Sequence, residues 1–311
     1  MTTLSIEELQ VQYQLRDKIV HAVDRVSFSL ENNESLGIVV ESACGKSTLG
    51  LAIIRSVPSG RITGGDISLD GKSTLKISEE EFTKTVRWKK ISMVFQGAMN
   101  SLDPVFSIKQ QFEEILRTHS YSGDHLKMIN DVIDSVGLPY TVLNKFPHEL
   151  SGGMKQRAVI AMALILRPDL VIADEPTTAL DVLVQAQILS LLKKLKKEGM
   201  SLILISHDLG IISEIADKVG IMYAGQIVEF GTLQEVYSNP KHPYTQALLK
   251  SMPKIKGESE LISLKGNPPN LTNLPAGCRF YDRCQHAMEK CREDPPKIKT
   301  ESGHVLCWLY E

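Results

Sequence analysis

The chain has 311 residues, a formal net charge of −2 at pH 7 and charged residues of both signs in balance. This length suffices for one large domain or for a large and a small one. The charge balance argues against nucleic acid as a partner, because a nucleic-acid-binding surface needs a basic field. The most apolar stretch, 163–173, is interrupted by Arg167-Pro168-Asp169, so no membrane-spanning helix is expected. The start carries Glu7 and Glu8 rather than a secretory signal, and we expect a cytoplasmic protein.

The first third of the chain is expected to be rich in strands. Short alternating or apolar segments lie at Leu9–Tyr13, Val26–Leu30 and Leu36–Val40. Helical spacing of apolar residues follows over 108–136 and over 152–166. The first of these stretches predicts an inserted helical lobe.

The next part alternates between strand and helix patterns, which is typical of an α/β fold. The predicted elements are strand 170–173, helix 182–197, strand 202–206 and strands 219–223 and 226–230. After Met252 the composition shifts to Pro, Gly, Asn, Lys and Cys, and two Pro-Pro pairs prevent long regular elements. We therefore predict a main domain over 1–252 and a small extension over 253–311.

Three apolar runs are each followed at once by residues that can handle a nucleoside triphosphate. Leu36–Val40 leads into 41–48, the run 170–173 leads into Asp174-Glu175, and the run 202–206 leads into His207. In an open α/β sheet, ligands bind at the carboxyl ends of the strands. The three strand ends therefore predict one nucleotide site.

The sequence Gly45-Lys46-Ser47-Thr48 is typical of a phosphate-binding loop that opens a helix. Backbone N–H groups, the helix dipole and the ammonium group of Lys46 would converge on phosphate oxygens, and Ser47 would place its hydroxyl on Mg²⁺. Two glycines of the usual pattern are replaced, by Val40 and by Ala43. Either change could weaken the loop if the position needs a positive φ.

A second glycine-bearing helix start, Leu150-Ser151-Gly152-Gly153-Met154-Lys155-Gln156-Arg157, precedes an apolar helix. Together with the loop at 45–48, Asp174-Glu175 and His207, it closely resembles the signature of ATP-binding-cassette (ABC) ATPases. The resemblance covers about 4–253. It implies a P-loop NTPase core of RecA type with an antiparallel β subdomain and a helical lobe at about 97–167. It also implies a head-to-tail dimer in which the signature of one subunit completes the ATP site of the other.

The resemblance assigns a role to each matching residue. Glu175 would polarise the attacking water, His207 would contact the γ-phosphate, and Gln96 would sense the nucleotide and bind Mg²⁺ with Ser47 and Asp174. Tyr13 would stack on adenine, although a lone strand tyrosine more often serves packing. The remaining residues expected to contact ATP are Glu41, Ser42, Ala43, Cys44, Gly45, Lys46, Ser47 and Thr48 within the chain, and Ser151, Gly152, Gly153, Gln156 and Asp181 toward the partner.

The last third narrows the resemblance to the ATPases of oligopeptide, dipeptide and nickel importers. The residues that carry it are Tyr223-Ala224-Gly225-Gln226-Ile227-Val228-Glu229, Asn239-Pro240-Lys241-His242-Pro243-Tyr244-Thr245 and Gly266-Asn267-Pro268-Pro269. Members of this class work beneath two membrane permeases, are supplied by an extracytoplasmic solute-binding protein and usually pair with a second ATPase. The resemblance thus implies a peripheral protein on the cytoplasmic face of the membrane.

Cys278, Cys284, Cys291 and Cys307 lie in the extension with the spacing C-x₅-C-x₆-C-x₁₅-C. In a cytoplasmic chain such a set favours metal ligation over disulfides. The family resemblance favours a [4Fe–4S] cluster, while Zn²⁺ and unligated thiols remain alternatives. The fifth cysteine, Cys44, follows Ala43 in the loop and is expected to be sensitive to alkylation because Lys46 and a helix start lie nearby.

Two functions remain open on these grounds. The first is an ATP-hydrolysing subunit that couples dimer closure to solute import. The alternative is a regulatory half-site in which Val40 and Ala43 weaken nucleotide binding and a partner ATPase performs most of the hydrolysis. Retention of Glu175 and His207 favours the first.

Overall fold

The computed structural model describes residues 4–41, 45–97, 101–178, 180–251 and 266–311. The chain forms two compact units. The helical unit comprises Glu31–Glu34 and Ser73–Ile203, and the β-rich unit comprises the described parts of 4–30, 35–72 and 204–311. Within the described ranges, none of the helices has the length and apolar character needed to cross a membrane.

The β-rich unit contains an antiparallel sheet made from the start of the chain. Its strands are β1 (Leu4–Leu15), β2 (Lys18–Leu30) and β4 (Gly60–Leu69), and β1 pairs with both β2 and β4. The inward-facing residues of β1 and β2 are apolar and buried. The predicted segments Leu9–Tyr13 and Val26–Leu30 are therefore parts of longer strands.

A second group of strands in the same unit carries the phosphate loop. Strand β3 (Ser35–Val40) pairs in parallel with β9 (Lys218–Tyr223), and β9 pairs antiparallel with β10 (Gln226–Thr232). All six residues of β3 are buried, as expected for a strand inside a parallel sheet. Its first residue, Ser35, is fixed by hydrogen bonds to the Asp217 carboxylate that precedes β9.

The turn between β9 and β10 consists of two residues with left-handed backbone. Ala224 has φ 46° and Gly225 has φ 87°, which is the two-residue hairpin geometry that suits the twist of the flanking strands. A Cβ at Gly225 would lie 2.9 Å from the carbonyl oxygen of His21. The glycine is thus required both by its φ and by the close approach of β2.

The helical unit contains a short parallel pair of strands, β6 (Ile91–Val94) and β7 (Leu170–Asp174). Val94 pairs with Ala173, so the two strands end side by side. The helices are α2 (Glu79–Thr85), α3 (Ile108–Thr118), α4 (His125–Ser135), α5 (Gly152–Leu164) and α6 (Val182–Lys197). Strand β8 (Ser201–Ser206) contributes residues to both units.

The apolar spacing over 108–136 corresponds to two helices, not to one continuous helix. Helix α3 ends at Thr118, and Ser120 has a left-handed φ of 53°. Asp124 then caps α4 by accepting a hydrogen bond from the Lys127 N–H at 3.0 Å. The stretch between the two helices, residues 117–125, holds no aliphatic residue and includes Gly123 and Asp124, so the sequence itself marks the break.

The other described helices and strands are short. They are α1 (Lys46–Ile53), β5 (Lys72–Ser73), α7 (Leu209–Ile215), α8 (Leu233–Ser238), α9 (Pro243–Lys250), β11 (Lys297–Lys299) and β12 (His304–Leu306). As the Pro-Pro pairs predict, the described residues 266–311 contain only three-residue strands and short 3₁₀ turns. These residues belong to the β-rich unit, where β12 pairs with β10.

Candidate functional site

The phosphate-loop residues lie at the start of α1 in the β-rich unit. Gly45 precedes the helix with φ 88°, and a Cβ there would lie 1.8 Å from the carbonyl oxygen of Ala22. Only glycine satisfies both conditions. Lys46 and Ser47 follow as the first two residues of α1, both half-buried. The helix therefore begins in the geometry in which backbone N–H groups and an ammonium group suit phosphate.

The replacement of the first loop glycine by Val40 does not strain the backbone. Val40 ends β3, pairs with Met222 and is absent from the residues with positive φ. Its side chain is 1% exposed and belongs to the core. The expectation of a strained, left-handed backbone is wrong for this position. Ser42, Ala43 and Cys44, with the predictions made for them, lie outside the described residues.

Tyr13 is fixed by contacts within the β-rich unit. Its hydroxyl lies 3.1 Å from Oγ1 of Thr48, the third residue of α1. Its ring lies against Gly60 on β4, where a Cβ would come within 2.7 Å of a ring carbon. The side chain is half-buried. Tyr13 thus serves packing and ties β1 to α1, and stacking on adenine stays a prediction.

The acidic residues of the site follow β7 in the helical unit. Asp174 is the last residue of the strand and is buried, and Glu175 follows it with a left-handed φ of 46°. Such a backbone is unusual for glutamate and typical of functional positions. Nε2 of Gln96, two residues after β6, donates a hydrogen bond to Oε2 of Glu175 at 3.0 Å, and Oγ1 of Thr178 donates to the same oxygen at 2.9 Å.

These contacts bring together two residues that the sequence singled out. Gln96 and Glu175 meet because β6 and β7 pair in parallel and end side by side. Their roles toward nucleotide and water stay predictions. Thr178 was missed. Its position three residues after Glu175, in a polar turn that follows a buried strand, was the available signal.

The helix start at 151–157 presents some of its residues and buries others. Ser151 caps α5 by accepting a hydrogen bond from the Met154 N–H at 3.3 Å, and both Ser151 and Gly152 are exposed. A Cβ at Gly153 would lie 2.8 Å from a methyl carbon of Val184, in the first turn of α6. Gly153 is therefore needed for the close approach of two helices, whatever else it binds.

Two further residues that were predicted to contact the partner's nucleotide differ in their exposure. Asp181 caps α6 by accepting a hydrogen bond from the Val184 N–H at 2.9 Å and is exposed. Gln156 is only 4% exposed, which suits packing of α5 rather than contact with a partner's nucleotide.

His207 directly follows β8 and is exposed. The next residue, Asp208, caps α7 through hydrogen bonds from the N–H groups of Gly210 and Ile211. The Asp208 N–H in turn donates to Oγ of Ser206. His207 thus stands on a fixed turn at a strand end, and its contact with a γ-phosphate stays a prediction.

The four cysteines of the extension line one small cavity in the β-rich unit, together with His242 and Phe280. They are free thiols. The pKa of Cys278 is raised to about 11, chiefly because burial disfavours the thiolate. Among the described residues, no three His, Cys, Asp or Glu side chains come close enough to hold a metal ion together. The expected [4Fe–4S] cluster is therefore not supported by the geometry and stays a prediction.

The motif at 239–245 has a structural role that its sequence did not reveal. Glu229 accepts hydrogen bonds from the N–H groups of Lys241 and His242. Nδ1 of His242 accepts from the Tyr244 N–H at 3.0 Å and so caps α9. Tyr244 packs against Tyr223 and Phe280. The motif thus joins β9 and β10 to the extension.

Comparison with known proteins agrees with this architecture. A family model described as ABC transporter matches residues 23–178, and one described as oligopeptide/dipeptide transporter, C-terminal region, matches residues 228–291. The dimeric structure of a post-hydrolysis state of the ATP-binding cassette MJ0796, bound to ADP and Pi, has a TM-score of 0.66 and 27% identity. That match covers 74% of this chain and 98% of the other.

Two similar proteins match along nearly the whole chain. The dipeptide transport ATP-binding protein DppD of Caldanaerobacter subterraneus is 41% identical over 317 residues, which cover 99% of this chain and 97% of that protein. The oligopeptide transport ATP-binding protein OppD of Bacillus subtilis is 44% identical over 317 residues, covering 98% and 88%. The chain belongs to the ABC transporter ATPases, in the group that carries the oligopeptide/dipeptide transporter C-terminal region. The predicted P-loop ABC ATPase fold and the predicted enzyme class are confirmed.

Proposed function

We propose that this chain is the ATP-hydrolysing subunit of an importer for dipeptides or oligopeptides. The support is its full-length similarity to transport ATP-binding proteins for these solutes, together with the hydrogen bonds that hold the Glu175 carboxylate. A related solute such as nickel is the other candidate cargo. The proposed partners are a second ATPase and two membrane permeases, which this chain would meet at the cytoplasmic face of the membrane, and, indirectly, an extracytoplasmic solute-binding protein.

The residues of this chain would divide the chemistry between them. Lys46 and the N–H groups at the start of α1 would bind the phosphates, and His207 would contact the γ-phosphate. Glu175 would accept a hydrogen bond from the attacking water and orient it. Mg²⁺ would neutralise phosphate charge, and the oxygens of Ser47, Gln96 and Asp174 are the hard ligands that this ion prefers.

ATP binding by a dimer would link the two subunits. Ser151 and Gly152 are exposed at a helix start, and Asp181 is exposed at the start of α6. Such groups can contact the triphosphate of a second subunit. Closure around ATP would drive the permeases, and hydrolysis would release the dimer.

The regulatory half-site is the second candidate. The ordinary backbone at Val40 favours the hydrolysing subunit, because the valine costs the loop no strain. The test is Mg²⁺-ATP binding and turnover by the chain alone and with its second ATPase. Turnover that persists when the partner's catalytic carboxylate is replaced supports hydrolysis by this chain, and turnover that disappears supports the half-site.

We also propose that Cys278, Cys284, Cys291 and Cys307 bind one metal centre, a [4Fe–4S] cluster, with Zn²⁺ as the alternative. The support is that all four line a single cavity. Since no three described side chains already converge on an ion, binding would draw the thiols together. Iron, sulfide and zinc per chain should be measured after anaerobic purification. Stoichiometric zinc without iron and sulfide would reject the cluster.

A further inference from the structure

An arginine of the extension holds the residue that opens the phosphate loop. Nη1 of Arg283 donates a hydrogen bond to Oε2 of Glu41 at 2.8 Å, and Nη2 donates to Oε1 at 3.2 Å. The two residues are 242 positions apart in the sequence. A planar guanidinium that meets both carboxylate oxygens fixes the orientation of its partner as well as its position.

The environment of Arg283 makes this contact rigid. Its side chain is only 5% exposed, whereas that of Glu41 is 29% exposed. Nη1 also donates to the Tyr223 hydroxyl at 3.1 Å, and the guanidinium carbon lies 5.6 Å and 5.8 Å from the ring centres of Tyr223 and Phe280. The hydrogen bond to Glu41 is the main reason that the pKa of Arg283 is raised. A buried arginine held in this way needs its carboxylate partner.

Glu41 lies where a fixed carboxylate can order the loop. It directly follows β3, whose last residue, Val40, pairs with Met222. Four residues further on, Gly45 is locked against the backbone of Ala22. Arg283 of the extension therefore contacts Glu41 at one end of the phosphate-loop motif, and Ala22 of β2 lies against Gly45 at the other end.

A second arginine docks the extension on β2 and on the turn between β9 and β10. Arg279 donates to the carbonyl oxygen of Ala224 and to the carboxylate of Asp24. The His21 N–H also donates to the carbonyl oxygen of Leu271 at 3.1 Å. Substituting Arg279 should therefore affect docking of the extension, and substituting Arg283 should affect its contact with Glu41.

We propose that Arg283 is a positioning residue for nucleotide binding, through which the C-terminal extension sets the affinity of this chain for a nucleoside triphosphate. The proposal rests on the proposed ATPase function. With Arg283 in place, the Glu41 carboxylate is oriented before nucleotide arrives, so binding does not bear the cost of orienting it. Because the proposed role concerns nucleotide binding and not the chemical step, loss of Arg283 should weaken binding and leave saturated turnover nearly intact.

The experiment measures KM and kcat for Mg²⁺-ATP, the Kd of a fluorescent ATP analogue and the thermal unfolding temperature. The variants are Arg283→Gln, Arg283→Lys, Glu41→Gln and the double variant R283Q/E41Q. Arg279→Gln reports on docking alone. Arg292→Gln is the matched control, because Arg292 lies in the same extension, is 66% exposed, pairs with Glu289 and lies over the ring of Tyr281, two residues that also belong to the extension.

We expect R283Q to raise KM and Kd roughly tenfold, because nucleotide binding must then bear the cost of orienting Glu41. The value of kcat should change less than about twofold. R283K should restore part of the affinity, and R283Q/E41Q should be little worse than either single variant because the two act as a pair. R292Q should match the natural chain.

Unchanged Kd in a folded R283Q would overturn the proposal. If R283Q does not fold, additive effects of R283K and E41Q on Kd would overturn it instead. An equal rise in Kd for R279Q and R283Q would show that docking of the extension matters and the contact with Glu41 does not. A natural chain that binds no Mg²⁺-ATP, alone or with its second ATPase, would reject the proposed function itself, and the inference with it.

Discussion

Gln96 and Glu175 are joined by a hydrogen bond of 3.0 Å between Nε2 of the amide and Oε2 of the carboxylate. The two residues follow β6 and β7, which pair in parallel and end side by side. Because Thr178 donates to the same oxygen, the carboxylate has one defined orientation. The proposed nucleotide-sensing residue is thus in direct contact with the proposed catalytic carboxylate of this chain.

Replacing Glu175 with Gln should abolish hydrolysis while preserving nucleotide binding. The amide keeps the size of the side chain but is a far weaker acceptor for the attacking water, and loss of general-base assistance costs about 10²–10⁴-fold in rate. Phosphate release gives turnover, and size-exclusion chromatography with Mg²⁺-ATP should show a trapped dimer. Glu198→Gln, at an exposed glutamate after α6, is the control. Normal turnover in E175Q would exclude Glu175 as the catalytic carboxylate.

Removing either hydrogen-bond donor to the Glu175 carboxylate should reduce turnover. Gln96→Leu and Thr178→Val each delete one hydrogen bond to a charged group, and about 1.5 kcal/mol of lost orientation corresponds to roughly a tenfold fall in kcat. KM should change little for T178V if the carboxylate acts only in the chemical step, whereas Q96L should also raise KM because Gln96 is a proposed Mg²⁺ ligand. Steady-state kinetics at saturating Mg²⁺-ATP test this. If both variants retain full kcat, the two hydrogen bonds serve the fold and not the reaction.

Restoring glycine at position 40 should not improve nucleotide binding. Val40 has ordinary extended backbone and a buried side chain, so Val40→Gly removes apolar burial and adds backbone freedom to a strand. The expected loss is roughly 3 kcal/mol of unfolding free energy. Denaturant unfolding and the Kd of an ATP analogue measure both effects. A V40G chain that binds ATP several-fold more tightly would show that the valine obstructs the loop.

Local patterns predicted which strand ends carry the candidate residues, but they could not predict long-range contacts. Four candidate residues could be located because each follows an apolar run that forms a buried strand. They are Gly45, Gln96, Glu175 and His207. The contact between Arg283 and Glu41 could not be predicted, since it joins residues 242 positions apart with no shared motif. The stretch 108–136 was described only as helical, and the break between α3 and α4 was not located within it, although residues 117–125 contain no aliphatic residue. The signal of the break was Asp124, a good helix cap that precedes a new run.

Alanine at position 153 should be tolerated only when a neighbouring side chain is made smaller. A Cβ at this position would lie 2.8 Å from Val184, so Gly153→Ala should destabilise the chain by about 1–3 kcal/mol through overpacking. The second change Val184→Ala should recover most of that loss. Thermal unfolding of the single and double variants tests the steric account, which an unrescued double variant would contradict. ATP-induced dimerisation of a rescued variant then reports separately on contact with a partner's nucleotide.

The buried His242 should make the chain less stable in mild acid. Burial lowers its pKa from an ordinary 6.5 to about 3, so the folded protein keeps His242 neutral while the unfolded chain takes up a proton below pH 6.5. Unfolding stability therefore falls as pH drops below about 6.5, and this histidine accounts for about 2 kcal/mol between pH 7.5 and 5. Burial raises the pKa of Glu229 above its ordinary 4.5, so protonation of this carboxyl in the folded state acts in the opposite direction as the pH falls toward 4.5.

His242→Asn isolates this effect, because an asparagine oxygen can still accept the cap hydrogen bond from the Tyr244 N–H but does not titrate. Unfolding free energy measured from pH 7.5 to 5 should fall less steeply for H242N than for the natural chain. His286→Asn, at an exposed histidine of the extension, should leave the slope unchanged. Parallel curves for H242N and the natural chain would mean that His242 becomes protonated without loss of the fold.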